Sequence, residues 1–282
     1  IEVAEQVSIY SSSDANSGDV TLDAGGNIIF APRVSVYSSA SSSTGSVSSG
    51  DVRVYADGYM DLDWPTISSE AQVTGPISAD AQSGSVTVYA YGYGEGGNSI
   101  MMYNGSRIRS IAQTNLFVAE GSTSTTAQSG PVSVTGYYGI SGYFVDTEFT
   151  GPFSFYSTAD AYAMSAAYAY SSYVVLSAPY GDISLAGYAG VYSRSEAVTG
   201  TQAGSSAEAI AGSSYYNYNS YPYTYYDNLA VLIDAYGSIS LADRYMYGDG
   251  FDSSSANADA YASSADSYAS AGDVVFDAGQ DI

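Results

Sequence analysis

The chain carries a repeated pattern of apolar and polar residues that predicts short β-strands. In this pattern a glycine lies two positions before a β-branched residue, and a second apolar residue lies two positions after it. The seven copies lie at 18–22, 50–54, 84–88, 130–134, 181–185, 237–241 and 272–276. Because apolar and polar residues alternate within each copy, each predicted strand buries one face. We expect stacked neighbouring strands whose β-branched residues share one interior: Val20, Val52, Val86, Val132, Ile183, Ile239 and Val274.

Successive copies begin between 32 and 56 residues apart, a spacing typical of stacked repeat proteins. We expect the leading glycine of each copy to form a turn at positive φ. Small residues dominate the tracts 38–49, 122–129 and 253–271, and such residues suit tight turns or closely spaced strands. In the last tract four alanines alternate with polar residues, which favours a strand with an alanine face: Ala256, Ala258, Ala260 and Ala262.

These patterns predict an all-β fold, namely one continuous domain over 1–282. The favoured architecture is an elongated parallel β-solenoid, a repeat stack whose inserts rich in tyrosine, serine and alanine form variable loops. A β-sandwich or barrel is the alternative, since both also contain short strands separated by regular turns.

The two ends of the chain complement each other. Residues 18–28 and 272–282 are identical at seven of eleven positions. The first copy continues into further apolar residues, and Ile1, Val3 and Val7 would supply the same continuation to the last copy. Repeat stacks normally end in polar caps, so these apolar ends indicate an excerpt of a longer chain or subunits that stack end to end. The first residue, Ile1, is compatible with a processed N-terminus or with an excerpt.

We therefore predict a subunit interface at the two ends, together with part of the tyrosine-rich run 215–226. Tyrosine is enriched at protein contacts, although this run could instead stack on sugars or be a loop without a partner. The predicted interface residues are Ile1, Val3, Val7, Val274, Phe276, Ile282, Tyr221, Tyr223 and Tyr225.

The segments 17–28 and 34–42 resemble the repeats of filamentous-haemagglutinin-like surface proteins. The matching phrases are SGDVTLDAGGNI and VSVYSSASS, and the resemblance covers about the first 60 residues. It implies a right-handed parallel β-helix and an extracellular role in adhesion or surface structure. The long tyrosine-rich inserts depart from the pattern of that family.

Composition narrows the range of partners. The chain has 29 acidic and six basic residues, for a net charge of −23, and a field of this sign repels nucleic acid and anionic lipid. It contains no run that approaches the ~18 consecutive apolar residues of a membrane-spanning helix. Nucleic acid and anionic lipid are therefore poor candidates for partners, and the charge is compatible with a highly soluble surface or with one coated by cations.

The residue types also restrict the available chemistry. The chain has no histidine, cysteine or lysine, which excludes Ser-His, Cys-His and Ser-Lys nucleophile systems. Asp61 and Asp63 could form a carboxylate pair, but a solvated strand face explains them equally simply. We predict no enzyme and no cofactor. Calcium is the one metal suited to the aspartate and asparagine oxygens, and 248–252 vaguely resembles a calcium turn.

The motif at 104–106 is Asn-Gly-Ser, an acceptor pattern for N-glycosylation. We expect Asn104 to lie on an exposed loop.

The predicted function is structural: an extracellular or cell-surface protein whose subunits stack through their solenoid ends into a filament, sheath or tube. The alternative is a cell-surface adhesin that displays the tyrosine-rich loop on a β-helix and binds carbohydrate or a host surface.

Overall fold

In the computed structural model the chain folds almost entirely into β-strands. The structure describes residues 1–4, 6–75, 78–116, 123–143, 153–186, 189–200, 205–217, 224–242, 253–261 and 267–281. Within these ranges the chain forms 28 strands and one 3₁₀ turn, Glu95–Gly97. The strands belong to four sheets, A to D, and are numbered in chain order.

Sheet A contains β1 (Glu2–Val3), β4 (Ile28–Phe30), β8 (Met60–Asp63), β12 (Ile100–Tyr103), β16 (Gly139–Tyr143), β20 (Asp182–Ala186) and β25 (Ile239–Ala242). Sheet B contains β2 (Ser8–Ser13), β5 (Ser35–Ser42), β9 (Thr66–Thr74), β13 (Ser106–Asn115), β17 (Phe153–Ala163), β21 (Ala189–Thr199) and β26 (Ser253–Tyr261). Sheet C contains β6 (Val47–Ser48), β10 (Ala81–Gln82), β14 (Ser124–Gln128), β18 (Ala166–Ser171), β22 (Ser206–Ala211) and β27 (Ser267–Ala271). Sheet D contains β3 (Val20–Ala24), β7 (Val52–Ala56), β11 (Val86–Ala90), β15 (Val132–Gly136), β19 (Val174–Ala178), β23 (Ser213–Asn217), β24 (Thr224–Ala235) and β28 (Asp273–Ala278).

The chain visits the sheets in the order A, B, C, D and then returns to A. We call one such passage a circuit, and the described residues contain seven. Each circuit adds a strand to each sheet, in parallel register with the strand before it, as where Val20 pairs with Val52 and Val52 with Val86. In the first circuit a single bridge between Asn16 and Ser48 stands in place of a sheet C strand. The predicted all-β fold with parallel strands is confirmed.

The seven repeated phrases all form strands, but they do not all lie in neighbouring positions. Five belong to sheet D, whereas Ile183 and Ile239 lie in sheet A. The corresponding sheet D positions are occupied by Val174 and Val231, neither of which follows a glycine of the repeated phrase. The phrase marks a strand that begins after a turn, and strands of both sheets begin in this way. The expectation of one stacked column was therefore wrong.

All the leading glycines except Gly18 lie too close to neighbouring residues to carry a Cβ atom. None of the seven has a positive φ, so the predicted left-handed turn was wrong. A Cβ atom on Gly84 would lie 2.5 Å from the carbonyl carbon of Gly50, and one on Gly130 would lie 2.4 Å from the carbonyl oxygen of Gly84. Any side chain at these positions would overlap the backbone of the preceding circuit.

Two apolar clusters fill the interior. The first lies between sheets A and D and the beginning of sheet B, and includes Val52, Met60 and Ile67. The second lies between sheet C and the end of sheet B and consists mostly of alanine. The predicted alanine strand is present as β26, and Ala260 packs against the second cluster. Ala262 lies outside the described residues.

A line of fully buried serines in sheet B directs its hydroxyl groups at the corner between sheets C and D. We call these the interior serines: Ser38, Ser69, Ser110, Ser157 and Ser193. The hydroxyl of Ser110 donates to the carbonyl of Gly84 (2.9 Å) and accepts the amide of Gly130 (2.9 Å). Buried backbone groups must be hydrogen-bonded, and the interior serines satisfy those that the turn at this corner removes from the sheets.

Candidate self-association site

The first circuit exposes apolar positions that later circuits bury. Val3, Ile9 and Leu22 are half-buried against the first apolar cluster. Their partners in the second circuit are Phe30, Val36 and Val54, each at most 1% exposed. The difference arises because the second circuit is covered on both sides. We call the uncovered surface the first-circuit face.

Of the predicted residues at this end, Ile1 is 47% exposed and Val7 is half-buried. The terminal ammonium of Ile1 donates to the carbonyl of Asn27 (2.7 Å). All three predicted residues, Ile1, Val3 and Val7, thus belong to the first-circuit face.

The last circuit shows the same contrast. Val274 and Phe276 in β28 are 36% and 38% exposed. Their partners in the preceding circuit, Val231 and Ile233, are fully buried. We call this surface the last-circuit face. Ile282 lies outside the described residues.

The last circuit ends where the chain would enter sheet A, and the first circuit begins with a strand of sheet A. The carbonyl of Asp281 accepts the amide of Ile239 (2.9 Å), as the carbonyl of Tyr59 accepts that of Ile28 (3.0 Å). Asp281 therefore leads into sheet A, the sheet in which β1 is the first strand.

The described ends of the tyrosine-rich run lie in two strands that pair antiparallel, β23 and β24. Tyr215 in β23 pairs with Tyr226 in β24, and both pack with Leu229 and Leu232 in a small cluster on the outer face of sheet D. Burial raises the pKa of the Tyr215 and Tyr226 hydroxyls. These two tyrosines stabilise the fold, which corrects the expectation of an insert loop over the whole run.

One of the three predicted interface tyrosines can be placed. Tyr225 is 56% exposed. Tyr221 and Tyr223 lie outside the described residues.

Comparison of the chain with family models, curated proteins and solved structures gives no match. The resemblance to filamentous-haemagglutinin-like proteins therefore rests on the sequence phrases alone.

A row of exposed tyrosines follows the corner between sheets D and A, and sequence patterns did not indicate it. This outer tyrosine row consists of Tyr91, Tyr137, Tyr180 and Tyr236, with successive ring centroids 4.5, 4.6 and 6.4 Å apart. Each residue follows the end of a sheet D strand by one or two positions. This offset is the feature of the sequence that could have indicated the row. A hydrogen bond with Tyr180 is the main cause that raises the pKa of Tyr137 to about 12.

Asn104 is not on an exposed loop. It is only 7% exposed, has a φ of 59°, and its side-chain amide donates to Asp63 Oδ1 (2.9 Å). A glycan on this nitrogen would require the turn to open, so the expectation of an accessible acceptor site was wrong.

The candidate carboxylates do not converge on a metal site. Asp61 and Asp63 lie on the outer face of β8, as predicted, and both are half-buried. No group of three or more His, Cys, Asp or Glu side chains able to hold a metal occurs in the described part of the chain. The calcium-like turn at 248–252 lies outside it.

The described residues also include no helix long and apolar enough to cross a membrane.

Asp160 in β17 is a buried carboxylate, at 8% exposure. Burial is the main cause that raises the pKa of its carboxyl, opposed by a hydrogen bond from Gln113 and by the charge of Arg194. The Arg194 guanidinium is 4.0 Å from Asp160 Oδ1 and pairs more closely with Glu196. The Asp160 carboxyl therefore lies beside a guanidinium and a second carboxylate in the surface of sheet B.

Proposed function

We propose that this protein is an extracellular structural protein whose copies stack end to end into a filament, sheath or tube. One observation carries the proposal: inner apolar positions are fully buried between circuits and partly exposed on the first-circuit and last-circuit faces. The clearest examples are in sheet D: Val231 and Ile233 are fully buried, whereas their partners Val274 and Phe276 in the last circuit are partly exposed. A further set of circuits would bury the exposed positions.

The proposal includes a single β-solenoid over the whole chain. The fixed order in which the chain visits the sheets supports it, because each circuit then advances by one strand spacing of about 4.8 Å. Seven circuits rise only about 30 Å, and a sheet B strand of eleven residues is itself about 36 Å long. One copy is therefore not elongated by its own circuits, and an elongated particle would come from stacking.

The contact between copies would be heterologous, since it joins the last-circuit face of one copy to the first-circuit face of the next. Contacts of this kind form open filaments, or rings where the rotation closes. Main-chain pairing would continue across the joint, as in β-strand addition. The extracellular location rests on the resemblance of the sequence phrases.

Electron microscopy of the purified chain tests the proposal. We expect long regular polymers with an axial repeat of about 34 Å, seven strand spacings. Isolated particles at all protein concentrations would contradict it. Isolated particles that nevertheless attach to cells or glycans through the tyrosine-rich run around Tyr225 would favour the adhesin alternative.

A further inference from the structure

A surface groove follows the outside of the corner between sheets C and D, and we call it the C–D groove. Its volume is about 580 Å³, within the range of ligand sites in proteins. Its lining extends from Asp51 in the second circuit to Ser213 in the sixth. Because neighbouring circuits lie about 4.8 Å apart, five of them give the groove a length of about 19 Å. A linear ligand of several units fits this shape.

The floor of the groove cannot be filled by side chains. Gly84 and Gly130 line it, and a Cβ atom on either residue would overlap the backbone of the preceding circuit. The stacking of circuits thus keeps the groove open at these two positions.

One wall combines amide groups with an aromatic ring. Gln82, Gln128, Tyr170 and Ile210 occupy one column in register on successive circuits. Both glutamines are exposed, and each side chain offers two N–H donors and a carbonyl acceptor. Unlike the outer tyrosine row, in which aromatic rings contact one another, Tyr170 has a glutamine and an isoleucine as column neighbours. Burial is the main cause that raises the pKa of its hydroxyl, and the nearby Glu208 carboxylate raises it further.

The groove is close to electrically neutral in a strongly acidic protein. Asp51 is the single charged residue among the described lining residues. Its carboxylate forms an ion pair with Arg53 and accepts the amide of Ser85 (2.8 Å). On the opposite side the hydroxyls of Ser172 and Ser213 lie 2.9 Å apart. The lining therefore presents donors and acceptors without a net charge to attract an ion.

We propose that the C–D groove binds a linear, uncharged polysaccharide. Glutamine amides and serine hydroxyls pair with sugar hydroxyls, which both donate and accept hydrogen bonds, while the Tyr170 ring packs against the apolar face of a sugar ring. The groove lies away from the first-circuit and last-circuit faces, so this binding is independent of the proposed stacking.

Other linear polymers fit the groove less well. An extended peptide gains affinity by pairing with an open strand edge, but the strands that border the groove, such as β14 and β15, are paired on both edges. A polyanion such as a uronic acid polymer is repelled by the net charge of −23.

Isothermal titration calorimetry on the full chain tests the proposal with three sets of probes. These are neutral hexasaccharides of β-1,4-linked glucose, xylose and mannose, a hexamer of galacturonic acid, and an uncharged extended hexapeptide. We expect at least one neutral hexasaccharide to bind. The double variant Gln128→Ala/Tyr170→Ala should weaken that binding by about tenfold or more, which corresponds to about 1.4 kcal/mol.

Two control variants remove the same residue types elsewhere. Gln72→Ala alters a separate surface cavity of about 490 Å³, and Tyr236→Ala alters the outer tyrosine row. Neither should change the affinity, and circular dichroism should show equal β content in all variants. The proposal is overturned if no neutral hexasaccharide binds at roughly 10 mM, if the controls weaken binding equally, or if the peptide or the polyanion binds more tightly.

Discussion

At the scale of single residues, the fold depends on hydroxyl groups in the interior. The interior serine hydroxyls donate to backbone carbonyls at the turn between sheets C and D, and Ser110 also accepts an amide, so that it joins Gly84 to Gly130. Serine is usually a surface residue, and the serine-rich tracts indicated tight turns or closely spaced strands. Burial of this one column could not be predicted, because it depends on where the turn between sheets C and D places its peptide groups.

Replacement of Ser110 by alanine should destabilise the protein by about 1–3 kcal/mol, since the carbonyl of Gly84 and the amide of Gly130 each lose a buried partner. The free energy of unfolding from urea titration measures this effect. The matched variant Ser184→Ala removes an exposed hydroxyl from sheet A and should change stability by less than about 0.5 kcal/mol. Equal effects of the two substitutions would contradict the role of the interior serines.

Asp160 should reduce stability at neutral pH. Because the pKa of Asp160 is raised in the folded protein, folding favours the protonated carboxyl. This contribution to stability is complete below the ordinary aspartate pKa and is lost as pH rises through the raised value. Asp160→Asn should therefore raise the unfolding free energy by about 1 kcal/mol at pH 7 and leave it nearly unchanged at pH 3. Asp57→Asn, at an exposed aspartate, is the control. A stabilisation that is independent of pH would argue against the burial of charge as the cause.

At the scale of elements, the sequence predicted strands well and their positions in the sheets less well. The alternation around Val52 or Val86 correctly indicates a buried face. The same phrase at Ile183 gives no information on its sheet, because strands of sheets A and D follow similar turns. Insert length varies between copies, so the spacing in the sequence does not resolve this ambiguity.

The glycine of the repeated phrase shows the same limit. The sequence indicates that glycine is needed at these positions. It does not distinguish a need for conformational freedom from a need for space, because both select glycine. Gly84→Ala should cost about 1–3 kcal/mol through overpacking, as measured by thermal or urea unfolding. Gly26→Ala is a suitable control, because a Cβ atom there would have no atom within 4 Å. Similar costs at both positions would mean that backbone flexibility, and not space, determines the choice of glycine.

At the scale of the whole molecule, the two end faces were predicted from sequence, and the structure places their described apolar residues on the outermost circuits. The groove and the outer tyrosine row were not predicted. Both arise from side chains that are far apart in the sequence and come together only through stacking, as Gln128 and Tyr170 do across 42 positions.

Electrostatics should oppose the proposed stacking. In the register that pairs Val274 with Val20 of a second copy, Asp277 would lie beside Asp23 of that copy, as it already lies beside Asp234 within the chain. Like charges directly opposite in a sheet are destabilising. Asp277→Asn should therefore lower the concentration at which polymers form, most clearly at low salt. Light scattering at two ionic strengths measures the change, and an unchanged onset would contradict this register.

The most direct test of end-to-end stacking is sedimentation velocity of the variant Phe276→Asp beside Tyr268→Asp. Both positions lie in the last circuit and are 38% and 57% exposed, but Phe276 belongs to the last-circuit face, whereas Tyr268 is the partner of Glu208 on the outer face of sheet C. A carboxylate at 276 would be buried without a partner in the joint, at a cost of several kcal/mol. The account predicts polymers for the wild type and Tyr268→Asp, and folded single copies for Phe276→Asp. Polymers of equal length in all three proteins would contradict it.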